Sequence, residues 1–380
     1  MTLRSLAHRI LQKFDPHAPL VEVGISRAAL LHNLAAYRTR YPDLAFAPVL
    51  KSNAYGHGLA TIAKLLDTQG MEFFMVDSYY EARTLRAAGI RTRIVIIGYV
   101  QPKEILHTHL RDVDFAIIDI EQLREVATRA KRSLRLHIKL DSGMHRQGIL
   151  PEQLAEAIEL LHANPRLEVV GICSHFADAE SADRTNTDIQ IARWNDMRKT
   201  MLVAFPSIQH IHFAATKGIK RAEEIGVNVV RLGIGLYGFD TSLEGDMSLQ
   251  PVLELRSLIS SLRSIPAGEF VGYNALYRAT GKRTIATVPL GYYEGIDRDV
   301  SNSGSMQVRG KVAPIAGRVS MNMSSIDVTD IPEARRGDCV VGISRHHEDP
   351  NSVRAMAKLA GTTPYVILVH IPQHLKRVVE

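Results

Sequence analysis

The chain has 380 residues, 46% of them hydrophobic and 23% charged, and carries a formal net charge of +6. That composition is ordinary for a globular protein and supplies core for two or three domains, and the scattered lysines and arginines form no basic cluster of the kind a nucleic-acid surface needs. No apolar run approaches the ~18 residues that span a bilayer, and the two cysteines, Cys173 and Cys339, sit in apolar strand-like runs that suggest buried thiols in a reducing compartment, with no zinc-type spacing.

In chain order, MTLRSLAHRILQKF at 1–14 places Leu3, Leu6, Ile10, Leu11 and Phe14 at helical spacing. A short amphipathic helix packed on the body is expected there, in preference to a transit peptide. Ser26 reads as the N-cap of a helix carrying Leu30, Leu31, Leu34 and Tyr37. Apolar strands are then expected at 46–50, 73–76, 93–98, 114–118, 136–140, 168–174, 210–214 and 227–233, with the clearest helices at 79–88, 121–132, 151–163 and 188–205. Eight strands alternating with helices predict an α/β fold of the (β/α)8 TIM-barrel type. An open doubly wound sheet is the rival, but the first strand lacks a GxGxxG turn. After about residue 250 the helical period fades, and RTIATVPLGYY, SMQVRGKVAPIAG and DCVVGI read as short strands, with one late helix in SVRAMAKLAG. The expected organisation is an N-terminal extension over 1–20, a barrel over 21–250 and a mostly β domain over 251–380.

Chemistry in such a barrel belongs to the C-terminal ends of the strands. Lys51 follows strand one, in VLKSNAYGHG. Lys139 and Arg146 lie on and after strand five, His175 follows strand six, Thr216 follows strand seven, and Arg231, Gly233 and Ile234 end strand eight. A lysine at a buried strand end is a nucleophile or base once desolvation favours its neutral amine; the alternative is a snorkelling or salt-bridged lysine. The following loop adds the Tyr55 hydroxyl and two flexible glycines. A Schiff-base lysine beside a phosphate site is the pattern of pyridoxal phosphate chemistry.

VLKSNAYGHG resembles the cofactor-lysine segment of the alanine racemases. The likeness continues in the same order through HIKLDSGMHRQG, GICSHFADAE, VVRLGIGLYGFD, VGYNALYRAT, VPLGYYEGIDR, PIAGRVSMNMSSIDVT and TPYVILVHI. The resemblance implies a cytoplasmic enzyme that interconverts L- and D-alanine for peptidoglycan, with no metal, as a head-to-tail homodimer sharing its active sites. It implies that Lys51 holds pyridoxal 5'-phosphate as the internal aldimine and serves one face of the substrate Cα, while Tyr273 from the partner subunit serves the other. It further implies that His175 bonds Tyr273 and contacts Arg231, and that Arg231 faces the pyridine nitrogen. Tyr55, Thr216, Gly233, Ile234 and Tyr365 would surround the phosphate. Arg146 would touch the phenolic oxygen and the substrate side, and Met321 and Tyr292 would border the substrate carboxylate and the entry. Lys139 sits where some members carry a carbamylated lysine.

The chain departs from the family pattern in three places. Met321-Asn322 stands where Met-Asp is usual, which removes a charge near the substrate carboxylate. HFAATKG brings Thr216 and then Lys217, either a phosphate contact or a solvated side chain. GMHR in place of GMGR puts His145 near the cofactor, without a catalytic role. The competing readings are a racemase of broader amino-acid scope and a barrel-type pyridoxal phosphate decarboxylase or aldolase. Cys339 is not in the decarboxylase context, and the aldolase His-x-Cys pair is absent.

Overall fold

A computed structural model describes residues 19–179, 181–240 and 247–380. The helix expected over 1–14 lies outside the described residues. Strand β1 (Glu22–Ile25) leads into helix α1 (Arg27–Arg40), whose N-terminus is capped by Ser26 accepting from the Ala29 N–H at 3.1 Å. That bond satisfies one of the donors a helix start leaves open.

The repeating part then runs β2 (Ala45–Pro48), α2 (Leu59–Leu66), β3 (Phe74–Val76), α3 (Tyr79–Ala87), β4 (Ile94–Ile96), α4 (Pro102–His107), β5 (Val113–Ile117), α5 (Ile120–Arg129), β6 (Leu134–Lys139), α6 (Leu154–Ala163), β7 (Leu167–Cys173), α7 (Thr185–Ala204), β8 (His210–His212) and β9 (Val229–Leu232). Strands β3 to β8 pair in sequence order, all parallel, and β2 pairs parallel with β9. The bridges Val49↔Met75 and Ala215↔Arg231 join the two sheets. The sheet therefore curls closed into the eight-stranded barrel expected from the sequence. Strands β2 to β5 are buried on both sides almost throughout, which is why they read as near-continuous apolar runs instead of alternating ones. Ser78 and Asp119 cap α3 and α5 in the same way as Ser26 caps α1.

Strands β10 (Leu253–Leu258), β11 (Ser261–Ile265), β12 (Phe270–Val271), β13 (Tyr277–Arg278), β14 (Arg283–Val288), β15 (Ser305–Val308), β16 (Lys311–Pro314), β17 (Ser324–Asp327), β18 (Cys339–Ile343) and β19 (Lys376–Val379) follow. One sheet has the order β16-β15-β18-β10-β1-β19 and a second the order β11-β14-β17. The first described strand, β1, thus sits between β10 and β19, and the chain passes from this sheet into the barrel. Two helices interrupt the late strands, α8 (Val353–Leu359) and α9 (Pro364–Val369). The second was not expected. Its PYVILV run looks strand-like, but Pro364 at the first helical position favours a helix start.

Neither cysteine forms a disulfide. Cys173 is buried as expected, but Cys339 is exposed, because it opens β18 on the outward side of the pleat.

Candidate active site

A cavity of about 1050 Å³ opens at the C-terminal mouth of the barrel. Lys51, Tyr55, Lys139, Arg146, His175, Thr216, Arg231, Gly233 and Ile234 all line it, and Tyr365 reaches it from α9. Lys217 lines it too, while His145 does not; its backbone turns to φ 52° and its side chain is exposed. Tyr273, Tyr292 and Met321 also lie outside the lining. They are 67%, 43% and 56% exposed on the surface of the β region.

The segment after Lys51 is not a flexible loop. Ser52, Asn53, Ala54 and Tyr55 all have φ between 52° and 56°, a full turn of left-handed helix without a glycine. Each such residue costs roughly 1–2 kcal/mol relative to the right-handed form, so the turn persists only where its surroundings dictate it. The Ser52 N–H donates to Glu81 Oε1 at 2.7 Å, and Asn53 Oδ1 accepts from the Leu59 N–H at 2.9 Å. The Arg377 guanidinium donates to the Gly56 carbonyl at 2.7 Å. His57 Nδ1 lies 3.0 Å from the Ala54 carbonyl and 2.8 Å from the Tyr55 carbonyl, so it carries the proton and ties down the two carbonyls that end the turn. Gly56 is needed for space: at φ +80° a Cβ would sit 2.0 Å from the Leu368 carbonyl oxygen of α9.

Lys51 itself departs from the expectation of a desolvated amine. Its side chain is 38% exposed, and Nζ lies 3.5 Å from Asp77 Oδ1 at the end of β3. A pair this open is worth about 0–1 kcal/mol, so the amine is readily released from it. Asp77 went unread in the sequence, although it follows the FMV strand and obeys the same strand-end rule as Lys51.

Arg231 occupies the floor and is 6% exposed. Its Nη1 donates to the His212 carbonyl at 2.7 Å and lies 3.1 Å from His212 Nδ1. Its Nη2 reaches the Ser174 carbonyl at 2.8 Å, the Phe213 carbonyl at 2.7 Å and His175 Nδ1 at 2.8 Å. A guanidinium only donates, so Nδ1 of His175 is an acceptor and its proton sits on Nε2. Burial, then the charges of Arg231, Arg146, Lys139 and Lys51, push this imidazole down to about 3. Lys139 donates to Gln147 Oε1 at 3.1 Å, and burial together with Arg231 and Arg146 pulls its ammonium below its usual value.

At the other end of the cavity, Thr216 Oγ1 accepts from the Gly233 N–H at 3.2 Å and the Gly235 N–H at 3.3 Å, which leaves its own hydroxyl proton to donate. Burial pushes the Tyr55 hydroxyl up to about 12, so it too stays a donor. A Cβ on Gly233 would stand 2.9 Å from the Tyr55 oxygen. This is a cradle of donors for an anion, closed by the absence of one side chain. Lys51, Lys139, Arg146, Lys217 and Arg231 outnumber Asp77 and Asp178 around the cavity, so its field attracts anions.

Buried neutral imidazoles make the apoprotein acid-sensitive. Burial pushes His57 and His210 down to about 4, as it does His175 to about 3. These groups are neutral when folded and charged when unfolded below about pH 6.5. The unfolded state then binds more protons, and stability falls as pH drops from about 6.5 toward about 4. The apoprotein is expected to lose on the order of a few kcal/mol of unfolding free energy between pH 7.5 and pH 5. Urea midpoints at the two pH values measure it, and an unchanged midpoint contradicts the neutral-imidazole assignment.

Two family models match the chain, the alanine racemase N-terminal domain over residues 25–241 and the alanine racemase C-terminal domain over residues 252–379. An alanine racemase of Syntrophobacter fumaroxidans is 36% identical over 355 residues, covering 92% of this chain and 94% of its own. Among solved structures, an alanine racemase of Clostridium difficile 630 superposes with a TM-score of 0.87 at 27% identity, over 95% of this chain and 96% of its own. A histidine racemase of Leuconostoc mesenteroides superposes with a TM-score of 0.86 at 27% identity, over 96% of this chain and 99% of its own. A closed barrel with its lysine, arginine and donor cradle in one mouth, followed by a β region, therefore has matching relatives along nearly its whole length, and the chain belongs to the alanine racemase family.

Proposed function

We propose that this chain racemizes alanine in the cytoplasm, supplying D-alanine for peptidoglycan, and that it works as a head-to-tail homodimer with shared active sites. The observation that carries the reading is the single cavity that gathers Lys51, Arg231 and the Tyr55–Thr216–Gly233 cradle. Alanine racemases are pyridoxal phosphate enzymes, and the residues present fit that cofactor. The donor cradle with room left by Gly233 suits the phosphate, with Ile234 and Tyr365 beside it. Arg231 suits the ring nitrogen, Arg146 the phenolic oxygen, and Lys51 the carbonyl carbon. When bound, pyridoxal phosphate holds the substrate amine and makes its Cα–H acidic.

The chain's own residues then divide the proton work. A racemase removes a proton from one face of Cα and returns one to the other, so two bases are needed unless one swings. Lys51 serves one face. The partner subunit's Tyr273 serves the other, since the copy on this chain is 67% exposed and does not line its own chain's cavity. A phenol is a weak acid, so a tyrosine needs help to act as a base at neutral pH. His175 supplies it: with its Nδ1 committed to Arg231, its Nε2–H is a fixed donor that favours the phenolate. Arg231 donates hydrogen bonds without yielding its proton, so it would hold the ring nitrogen of a bound pyridoxal phosphate as an acceptor, and the cofactor would there supply a weaker electron sink than beside a carboxylate.

Asn322, where Asp is usual, donates to Glu294 Oε1 at 2.8 Å, and Glu294 Oε2 accepts from the Gly291 N–H at 2.9 Å. A carboxylate at 322 would meet another carboxylate. The amide locks the Met321 and Tyr292 loops together, with the Tyr292 N–H donating to the Ser320 carbonyl at 3.0 Å. Met321 and Tyr292 then border the substrate carboxylate and entry of the partner's site.

Purified protein incubated with each L-amino acid in deuterium oxide tests the function. Cα–H exchange and loss of optical rotation are expected with alanine. The histidine racemase among the structural neighbours favours one alternative, a wider side-chain scope, and the same panel reads it. For the shared site, mixing inactive Lys51→Ala with inactive Tyr273→Phe is expected to restore activity, because a mixed dimer holds one site with both bases. No recovery despite demonstrated subunit exchange counts against it.

A further inference from the structure

The barrel interior is not uniformly apolar. Ala47, Val49, Phe73, Met75, Val95 and Val229 form one small apolar cluster inside it. Beside Phe73 runs a column of buried polar side chains, His212, His137 and Asp114, each 0% exposed. The column starts at Arg231 on the cavity floor and descends toward the N-terminal ends of the strands, since Asp114 is the second residue of β5.

We propose that His212 and His137, with the Asp114 carboxylate as the charge at their far end, form a directed hydrogen-bond relay that positions Arg231 for the cofactor ring. The direction follows from donor and acceptor chemistry alone. Arg231 Nη1 cannot accept, so His212 Nδ1, 3.1 Å away, presents its lone pair and His212 carries its proton on Nε2. That Nε2 lies 2.8 Å from His137 Nδ1, which must therefore accept. His137 in turn carries its proton on Nε2, 3.6 Å from Asp114 Oδ2. This last step is longer than a hydrogen bond and is an electrostatic contact. Asp114 is anchored by Arg93 Nη1 at 2.8 Å and Arg135 Nε at 3.2 Å. Burial works to raise its carboxyl, and His137, Arg93 and Arg135 outweigh that, holding it below the usual carboxylate range. Every proton in the column points away from Arg231 and toward an anion. Low-dielectric surroundings strengthen such a chain link by link.

The fold makes room for the column. A Cβ at Gly171 on β7 would lie 2.3 Å from His137 Nδ1, and the β6–β7 register shifts between Leu136 and His137. His210 stacks on His137 with ring centres 5.7 Å apart, and Phe73 meets His137 edge-on at 5.7 Å. His212 borders the cavity beneath Arg231 and His137 lies outside its lining, and the hydrogen bond that links the pair to the site runs through Arg231, so they act as positioning residues.

The inference rests on the proposed placement of the cofactor ring against Arg231, and its test separates the two. In apoprotein labelled with ¹⁵N-histidine, His212 and His137 are expected to carry their protons on Nε2 and their lone pairs on Nδ1. A His212 protonated on Nδ1 overturns the relay whatever the cofactor does. His137→Phe keeps a ring but removes the acceptor, and it is expected to raise the pyridoxal phosphate dissociation constant and lower kcat, each about tenfold, with the alanine KM little changed. His137→Gln can accept from His212 with Oε1 and donate onward with Nε2, and is expected to stay within about threefold of wild type. Equal loss in both variants, or no loss in either, overturns the relay. If His137→Phe does not fold, the wild-type tautomers and His137→Gln still decide. Wild-type protein that binds no pyridoxal phosphate, with the tautomers as assigned, instead sinks the cofactor reading.

Discussion

Lys51→Ala is expected to yield a folded, colourless protein with no measurable racemization. Wild-type protein purified with its cofactor should be yellow, and borohydride should bleach the band by fixing the lysine–cofactor bond. On the proposed mechanism the substitution removes both the covalent tether and one of the two bases. Loss of general acid–base help alone costs on the order of 10²–10⁴-fold, and loss of the amine that would tether the cofactor adds to it. The fold should survive, because the left-handed turn after Lys51 is pinned by Glu81, Asn53, His57 and Arg377 and not by the Lys51 amine. Its pairing with Asp77 is too exposed to matter for stability. A Lys51→Ala protein that keeps the borohydride-sensitive band would place the cofactor on a different amine. Lys139 is the first to examine, since it lines the same cavity.

The barrel was legible because buried parallel strands announce themselves. FAPVL, FFMV, RIVIIG and DFAII are runs with no polar alternation, and each holds a described strand, from β2 to β5. The strand-end rule then carried Lys51, Arg146, His175, Thr216 and Arg231 into one mouth without any knowledge of pairing. The turn at 52–55 was not legible, since only Asn53 in Ser-Asn-Ala-Tyr tolerates a positive φ readily. It is imposed by partners distant in the chain, Arg377 being 321 residues from Gly56. The place of β1 between β10 and β19 is equally non-local. The histidine column was readable in part. His210 and His212 are two apart on β8 and share one face of the strand, and a polar pair facing into a barrel is a signal in itself. Read only as apolar strands, HIHFA and LHIKL hid the residues that hold Arg231.

Tyr273→Phe separates the two proton-transfer faces. The residue is 67% exposed on its own chain, so its removal should not disturb the fold, and it supplies none of the groups assigned to the cofactor, so the variant should keep its colour. Racemization should fall by on the order of 10²–10⁴-fold, the worth of a positioned acid–base group. Lys51, untouched, should still exchange the proton on its own face. Tyr273→Phe in deuterium oxide should therefore exchange the Cα–H of one alanine enantiomer far faster than it converts that enantiomer to the other. His175→Ala should give a milder form of the same asymmetry. It leaves the phenol in place and, on the proposed mechanism, removes only the Nε2–H donor that favours the phenolate. Equal slowing of exchange for both enantiomers, or intact racemization in Tyr273→Phe, would show that Lys51 and Tyr273 do not stand on opposite faces of Cα.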